Sequence, residues 1–279
     1  MSQNAPNRRT SLTRVFSIKS KKLHRLILSE SWALASARCQ SCPGEAKRWT
    51  QQNGFYEGKI NTQVLPIHMA CALKAPGSFL QDIVSAYPGG VEAKETRYNR
   101  VPLHLACLYR LEIDAIKFLL ARYASGANVR DAVGRTPLFY ACSKGLSAEL
   151  IQMLLSACPE AAQAPDYKGW LPIHAACHVG LSDEIVLSLL EAYPESVGMR
   201  TKGGSLPKIK KGLLDYWHEN NQNLLEQAPS FIRSTSSFSR NFNDDDELDN
   251  LSVHSGSSFY ELQKNLSVRV VVEDTSCYV

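Results

Sequence analysis

The chain has 279 residues, 44% of them hydrophobic, and a formal net charge of +4, an ordinary composition for a chain able to bury a core. No run of about 18 apolar residues occurs, and the start MSQNAPNRRTSLTRVF lacks the apolar stretch of a secretory signal. Both points argue against membrane insertion and secretion and predict a cytoplasmic or nuclear protein. In that setting the eight cysteines are expected as reduced thiols, not disulfides.

Residues 1–28 carry Arg8, Arg9, Arg14, Lys19, Lys21, Lys22 and Arg25 with no acid. Such an arm, predicted to be disordered over 1–21, suits an address, a kinase-recognition segment, or contact with nucleic acid or anionic lipid. Within it RRTSL places Ser11 two residues after an arginine pair, similar to basophilic kinase substrates. Ser11 is therefore a candidate phosphosite, where phosphate would add about −1.5 to −2 charge. KSKKLHR resembles a nuclear-import signal. SESWALASARCQSCPGEAKRW next predicts an N-terminal capping helix ending near Pro43, the remnant of a preceding unit, which with the following long loop fills 22–58. Cys39 and Cys42 form a lone C-x-x-C pair, without the second pair that zinc needs or the βαβ context of a redox motif.

Beyond this point the chain repeats. LPIHMAC, VPLHLAC, TPLFYAC and LPIHAAC start at Leu65, Val101, Thr136 and Leu171, and Pro66, Pro102, Pro137, Pro172 and Pro207 are separated by 36, 35, 35 and 35 residues. A period of this size marks a helical repeat array. Proline suits the first position of a helix, where its missing N–H has no partner to lose. Leu80/Ile83/Val84, Ile116/Leu119/Leu120, Ile151/Leu154/Leu155 and Val186/Leu189/Leu190 follow each proline at constant offsets and form the buried face of a second helix. Pro88, Pro159 and Pro194 stop that helix. Asn99, Gly134, Gly169 and Gly204, each three residues before a motif proline, are residue types that tolerate positive φ in a tight turn.

The ends depart from the pattern. From Pro43 to Pro66 is 23 residues, against 14 from Pro88 to Pro102, so the linking loop is longer by nine. After Pro207 the HAAC string is gone, although Leu224, Leu225 and Pro229 keep their offsets; this reads as a degenerate cap. From residue 230 the composition turns to Ser, Asn and Asp and predicts a disordered tail over 230–279. Its acidic stretch Asp244, Asp245, Asp246, Glu247, Asp249 is an internal candidate for the basic face of the array.

TPLFYAC with its preceding DAVGR, and SGANVRD at 125–131, closely resemble the ankyrin repeat. The resemblance implies an all-α fold: an ankyrin-repeat solenoid of stacked helix-turn-helix units with short β-hairpin-like turns, flanked by disordered termini. It places the array at 59–229, with units near 59–94, 95–130, 131–165 and 166–200 and the cap at 201–229. The family's threonine at the motif start survives here only at Thr136. By the same resemblance the motif histidine braces the turn and the motif cysteine packs between units.

Two functional classes follow. A metal- or redox-dependent regulator would use His68/Cys71, His104/Cys107 and His174/Cys177, but each unit offers two ligands where structural zinc wants four, and the third unit has Phe139 in place of histidine. No phosphate-cradling loop, nucleophile elbow or paired-acid site occurs, so neither catalysis nor a cofactor is expected. The resemblance instead implies a non-enzymatic scaffold that binds a protein or peptide on a concave face, whose basic and aromatic groups would suit an acidic partner. Carrying the family's contact positions across gives Arg97, Tyr98, Arg100, Leu108, Tyr109, Arg110, Arg135, Tyr140, Lys144, Tyr167, Lys168, Trp170 and His178. Aromatic and arginine side chains of this kind are what interface hot spots favour. Nucleic-acid contact through the basic arm remains a further alternative.

Overall fold

Proline fixes φ near the helical value, and Pro66, Pro102, Pro137 and Pro172 each open a short inner helix: α3 (Pro66–Ala72), α5 (Pro102–Leu108), α7 (Pro137–Ser143) and α9 (Pro172–Val179). Each of these helices closes in the same way. Lys74, Arg110, Gly145 and Gly180 sit in the left-handed region at φ 54°, 57°, 62° and 75°. The next residue then donates back to the helix: Ala75 N to Ala70 O at 2.9 Å, and Leu111, Leu146 and Leu181 to Ala106, Ala141 and Ala176 at 3.0 Å. Ten-residue outer helices follow as α4 (Gly77–Ala86), α6 (Ile113–Arg122), α8 (Ala148–Ala157) and α10 (Asp183–Ala192). Each of them buries the apolar triplet expected from the sequence. A 3-10 turn ends every pair, opened by Pro88, Pro159 and Pro194 and, in the second unit, by Ala124.

The computed structural model describes residues 22–56 and 60–221, so Ser11, the arm 1–21, Leu224, Leu225, Pro229 and the tail 230–279 lie outside the described residues. Within them the inner helices pack in chain order, and the outer helices pack α2 (Trp32–Ser41) on α4, α4 on α6 and α8 on α10. The small pairs Ala70–Cys71, Ala106–Cys107 and Ala141–Cys142 are 0% exposed and let inner helices approach closely. The seven described cysteines are free thiols. Burial pushes the Cys107 and Cys177 thiols up to about 12 and drives Cys71 and Cys142 upward as well.

Both ends differ from the sequence expectation. Segment 22–58, read as one capping helix and a long loop, holds two helices, α1 (Leu23–Leu28) and α2, then a 3-10 turn over Pro43–Lys47. It is another helix pair of the same plan: Glu30 takes the left-handed position at φ 50° and Ser31 N donates to Leu26 O at 2.9 Å. The lengthened link forms an antiparallel ribbon of β1 (Thr50–Tyr56) and β2 (Ile60–Val64), with Thr50 opposite Val64 and Tyr56 opposite Ile60. At the other end Pro207 does not open a helix. The charged run Lys208, Lys210, Lys211 delays it, and α11 (Lys211–Asn220) starts where Leu213, Leu214 and Trp217 supply an apolar stripe, with Trp217 buried.

Lys74 holds a backbone conformation that costs a side-chain-bearing residue about 1–2 kcal/mol, partly offset by the entropy that glycine loses on folding. Lys74→Gly is therefore expected to stabilise the array by about 0.5–1 kcal/mol, read as a higher urea midpoint at unchanged slope. A drop in midpoint would show that the left-handed cap is not strained by its side chain.

Candidate functional site

The tips between units are built around buried acids. Asp131 Oδ1 accepts from the amides of Val133 and Arg135, and Asp166 Oδ1 from those of Lys168 and Trp170, all at 2.9 Å. Glu95 accepts from Arg97 and Tyr98 at 2.7 Å and, through Thr62 Oγ1 at 2.8 Å, fastens β2 to the next tip. Asn99, Gly134, Gly169 and Gly204 turn the chain at φ 55°, 88°, 81° and 89°. At Gly169 a Cβ would lie 2.9 Å from the Lys202 amide nitrogen, so the next tip could not approach.

Successive tips are joined by backbone hydrogen bonds from Thr96 N to Gln63 O, Ala132 N to Tyr98 O, Tyr167 N to Val133 O and Lys202 N to Lys168 O, at 3.3, 2.6, 2.9 and 2.8 Å. Arginines reinforce the row. Arg100 Nε meets Asp131 Oδ2 at 3.1 Å, and its Nη2 donates to the Tyr140 hydroxyl at 2.6 Å, which donates to Asp131 Oδ2 at 2.7 Å. Arg135 repeats the move one unit on, with Nε and Nη2 both 3.0 Å from Asp166 Oδ2. Burial alone would raise the Asp131 carboxyl, but the Arg100 guanidinium, the Tyr140 hydroxyl and the Arg135 amide hold it below the usual carboxylate range.

This network corrects the contact positions carried over from the resemblance. Arg100, Leu108 and Tyr140 are 2%, 3% and 2% exposed and face the interior, so no partner can reach them. The Arg135 side chain, 12% exposed, is held by Asp166 between two units. Arg97, Arg110, Tyr167, Lys168 and His178 are exposed, while Tyr98, Tyr109, Lys144 and Trp170 are half-buried. Trp170 lies 5.7 Å from His178 between ring centroids in an edge-on arrangement. Tyr98 lies under the guanidinium of Arg100 at 4.4 Å. Val179 and Lys202, both exposed beside these groups, were absent from the sequence reading; Val179 follows His178 on the same helix end, a position the motif comparison did not extend to.

The charge of the face comes from what is hidden. Glu95, Asp131 and Asp166 are the acids of the tips, and they are 0%, 5% and 4% exposed. What the tips present outward is Arg97, Lys168 and Lys202, with Lys74, Arg110 and Lys144 at the ends of the inner helices. The face is basic and aromatic although the sequence of the tips contains both signs of charge.

The motif histidines are occupied at both nitrogens. Nδ1 of His68, His104 and His174 accepts from the amide of Leu65, Val101 and Leu171 at 3.1, 3.3 and 3.1 Å. Nε2 is therefore the protonated nitrogen and donates to the carbonyls of Ala93, Arg135 and Met199 at 2.9, 3.2 and 3.1 Å. Burial lowers His68 and His104 to about 4 and lowers His174 as well. In the unit that has Phe139, Thr136 Oγ1 accepts the Phe139 amide at 3.3 Å instead, so the hydroxyl cap sits where the imidazole brace is missing. Among the described residues no three His, Cys, Asp or Glu side chains converge on one ion position.

Stacked helix pairs with hydrogen-bonded tips define a helical-repeat solenoid whose tips and inner helices form one accessible face. Residues 103–198 match the family model for ankyrin repeats in 3 copies, so this part of the stack is similar to three ankyrin repeats. No curated protein matches it. Ankyrin repeats are in general protein–protein interaction modules and typically non-enzymatic. No helix of the described residues is long and apolar enough to cross a membrane.

Proposed function

We propose that this protein is a non-catalytic scaffold that binds an acidic protein or peptide along the tip face. The observation that carries the reading is the inward turn of every tip carboxylate, which leaves Arg97, Lys168 and Lys202 beside Tyr98, Tyr167 and Trp170. Aromatic rings give contact area with few rotamers to immobilise, and the basic groups steer an acidic segment onto them. The binding positions are Arg97, Tyr98, Tyr109, Arg110, Lys144, Tyr167, Lys168, Trp170 and His178; Trp170 and Tyr167 are the anchors.

Trp170→Ala and Tyr167→Ala, each in the whole chain, are expected to lower the affinity of a captured partner tenfold or more, about 1.4 kcal/mol or above as for a hot spot. Proximity labelling in cells followed by titration of the purified partner measures it. Unchanged affinity in both variants, with helical signal and melting temperature retained, would remove this face from consideration.

A further inference from the structure

We infer that the acidic segment of this same chain, Asp244 to Asp249, docks on the basic tip face of the last units and competes there with the external partner. The inference rests on the reading of that face as a docking surface and names its resident occupant. Three observations carry it. Among the described residues the tips expose Arg97, Lys168 and Lys202 with no outward acid to oppose them, because Glu95, Asp131 and Asp166 are buried. The chain beyond the described residues holds one dense acidic run, Asp244, Asp245, Asp246, Glu247 and Asp249, with Leu248 and Leu251 among and after the acids. In the same tip as Lys168, the half-buried Trp170 and Tyr167, which is 63% exposed, offer apolar surface to such leucines.

Reach does not limit the contact. From Asn221 to Asp244 is 23 residues, a contour of up to about 80 Å, whereas helix layers repeat every 8–10 Å or so. Covalent linkage makes the contact intramolecular, and the effective concentration of the acids at the face is then on the order of millimolar. A weak charge contact is occupied under those conditions, and a partner of similar chemistry has to displace it. An external acidic segment of modest affinity would fail to do so, which makes the tail a selectivity filter as well as a brake.

The test uses the full chain and amine acetylation as the probe. Rates of modification at Lys168 and Lys202 are compared between the natural chain and the D244N/D245N/D246N/E247Q/D249N variant at low salt, with Lys117 on the outer helix as the reference. Both lysines are expected to react about threefold faster or more in the neutralised variant, as loss of a mostly occupied contact requires. The difference should vanish at high salt and persist on tenfold dilution. Equal rates in the two chains overturn the inference, and so does a difference that fades on dilution, which would assign the contact to a second copy. Failure here with Trp170→Ala still weakening the external partner leaves the docking surface in place and removes only its resident. Loss of both effects removes the surface itself.

Discussion

Asp131→Ala is expected to destabilise the array by about 3–5 kcal/mol, the range for removing one partner of a buried ion pair. The substitution leaves the Arg100 guanidinium, whose side chain is 3% exposed, facing a cavity, and takes the acceptor from the Tyr140 hydroxyl and from two tip amides. Most of the cost comes from the stranded charge, not from the attraction lost. A contrast between two further variants isolates that term. Asp131→Asn keeps an oxygen for the Val133 and Arg135 amides but strands Arg100, whereas Arg100→Met with Asp131→Asn removes both charges. The double variant is expected to be the more stable of the two in urea unfolding. Should it be the less stable, the stranded charge is not the dominant cost and the pair contributes net attraction. Because Arg100 and Asp131 belong to adjoining units, Asp131→Ala should also loosen the coupling between them, seen as a shallower unfolding slope.

Stability should fall steeply between pH 6.5 and about 4, with two buried histidines driving it. In the native state His68 and His104 are held near 4 by burial; in the unfolded chain they titrate at the ordinary 6.5. Above pH 6.5 both states are neutral and no penalty exists. Between 6.5 and 4 the unfolded chain takes up protons that the native imidazoles refuse, so the unfolded state is favoured by about 1.4 kcal/mol per pH unit for each histidine. Below 4 the native sites protonate and the dependence levels off. His174, lowered in the same direction, adds to the slope. The third unit supplies the control. Transplanting its Thr136 and Phe139 pair as Val101→Thr with His104→Phe should reduce the slope between pH 6 and 5 by about one histidine's share. A slope unaltered by the transplant would place the titration elsewhere.

The interior of the array was legible because its signals are local. Motif prolines, outer-helix triplets and the turn residues at Asn99, Gly134, Gly169 and Gly204 each act within a few positions of where they stand. The first helix pair was not, since it lacks the motif proline and its closing residue, Glu30, stands 44 residues before Lys74 where later units stand 36, 35 and 35 apart. The stack aligns helices, not residue counts, and the ribbon absorbs the difference. The contact positions fared unevenly for another reason. Arg100 and Arg110 are the same residue type on one inner-helix unit, yet the first is buried and the second exposed. What separates them is an acid 31 residues later: Asp131 for Arg100 and, one unit on, Asp166 for Arg135. That recurring 31-residue offset was present in the sequence and is the signal that would have moved both arginines from surface to interior. The loss of outward negative charge could be read only from the tips' geometry, because a carboxylate turned onto its own backbone looks the same in sequence as one facing solvent.

The row of tip hydrogen bonds has a direction. Thr96, Ala132, Tyr167 and Lys202 each donate to a carbonyl on the tip before them, so every acceptor is earlier in the chain than its donor. Removing a unit from the carboxyl end would therefore bare a tip carbonyl, whereas removing one from the amino end would bare a tip amide.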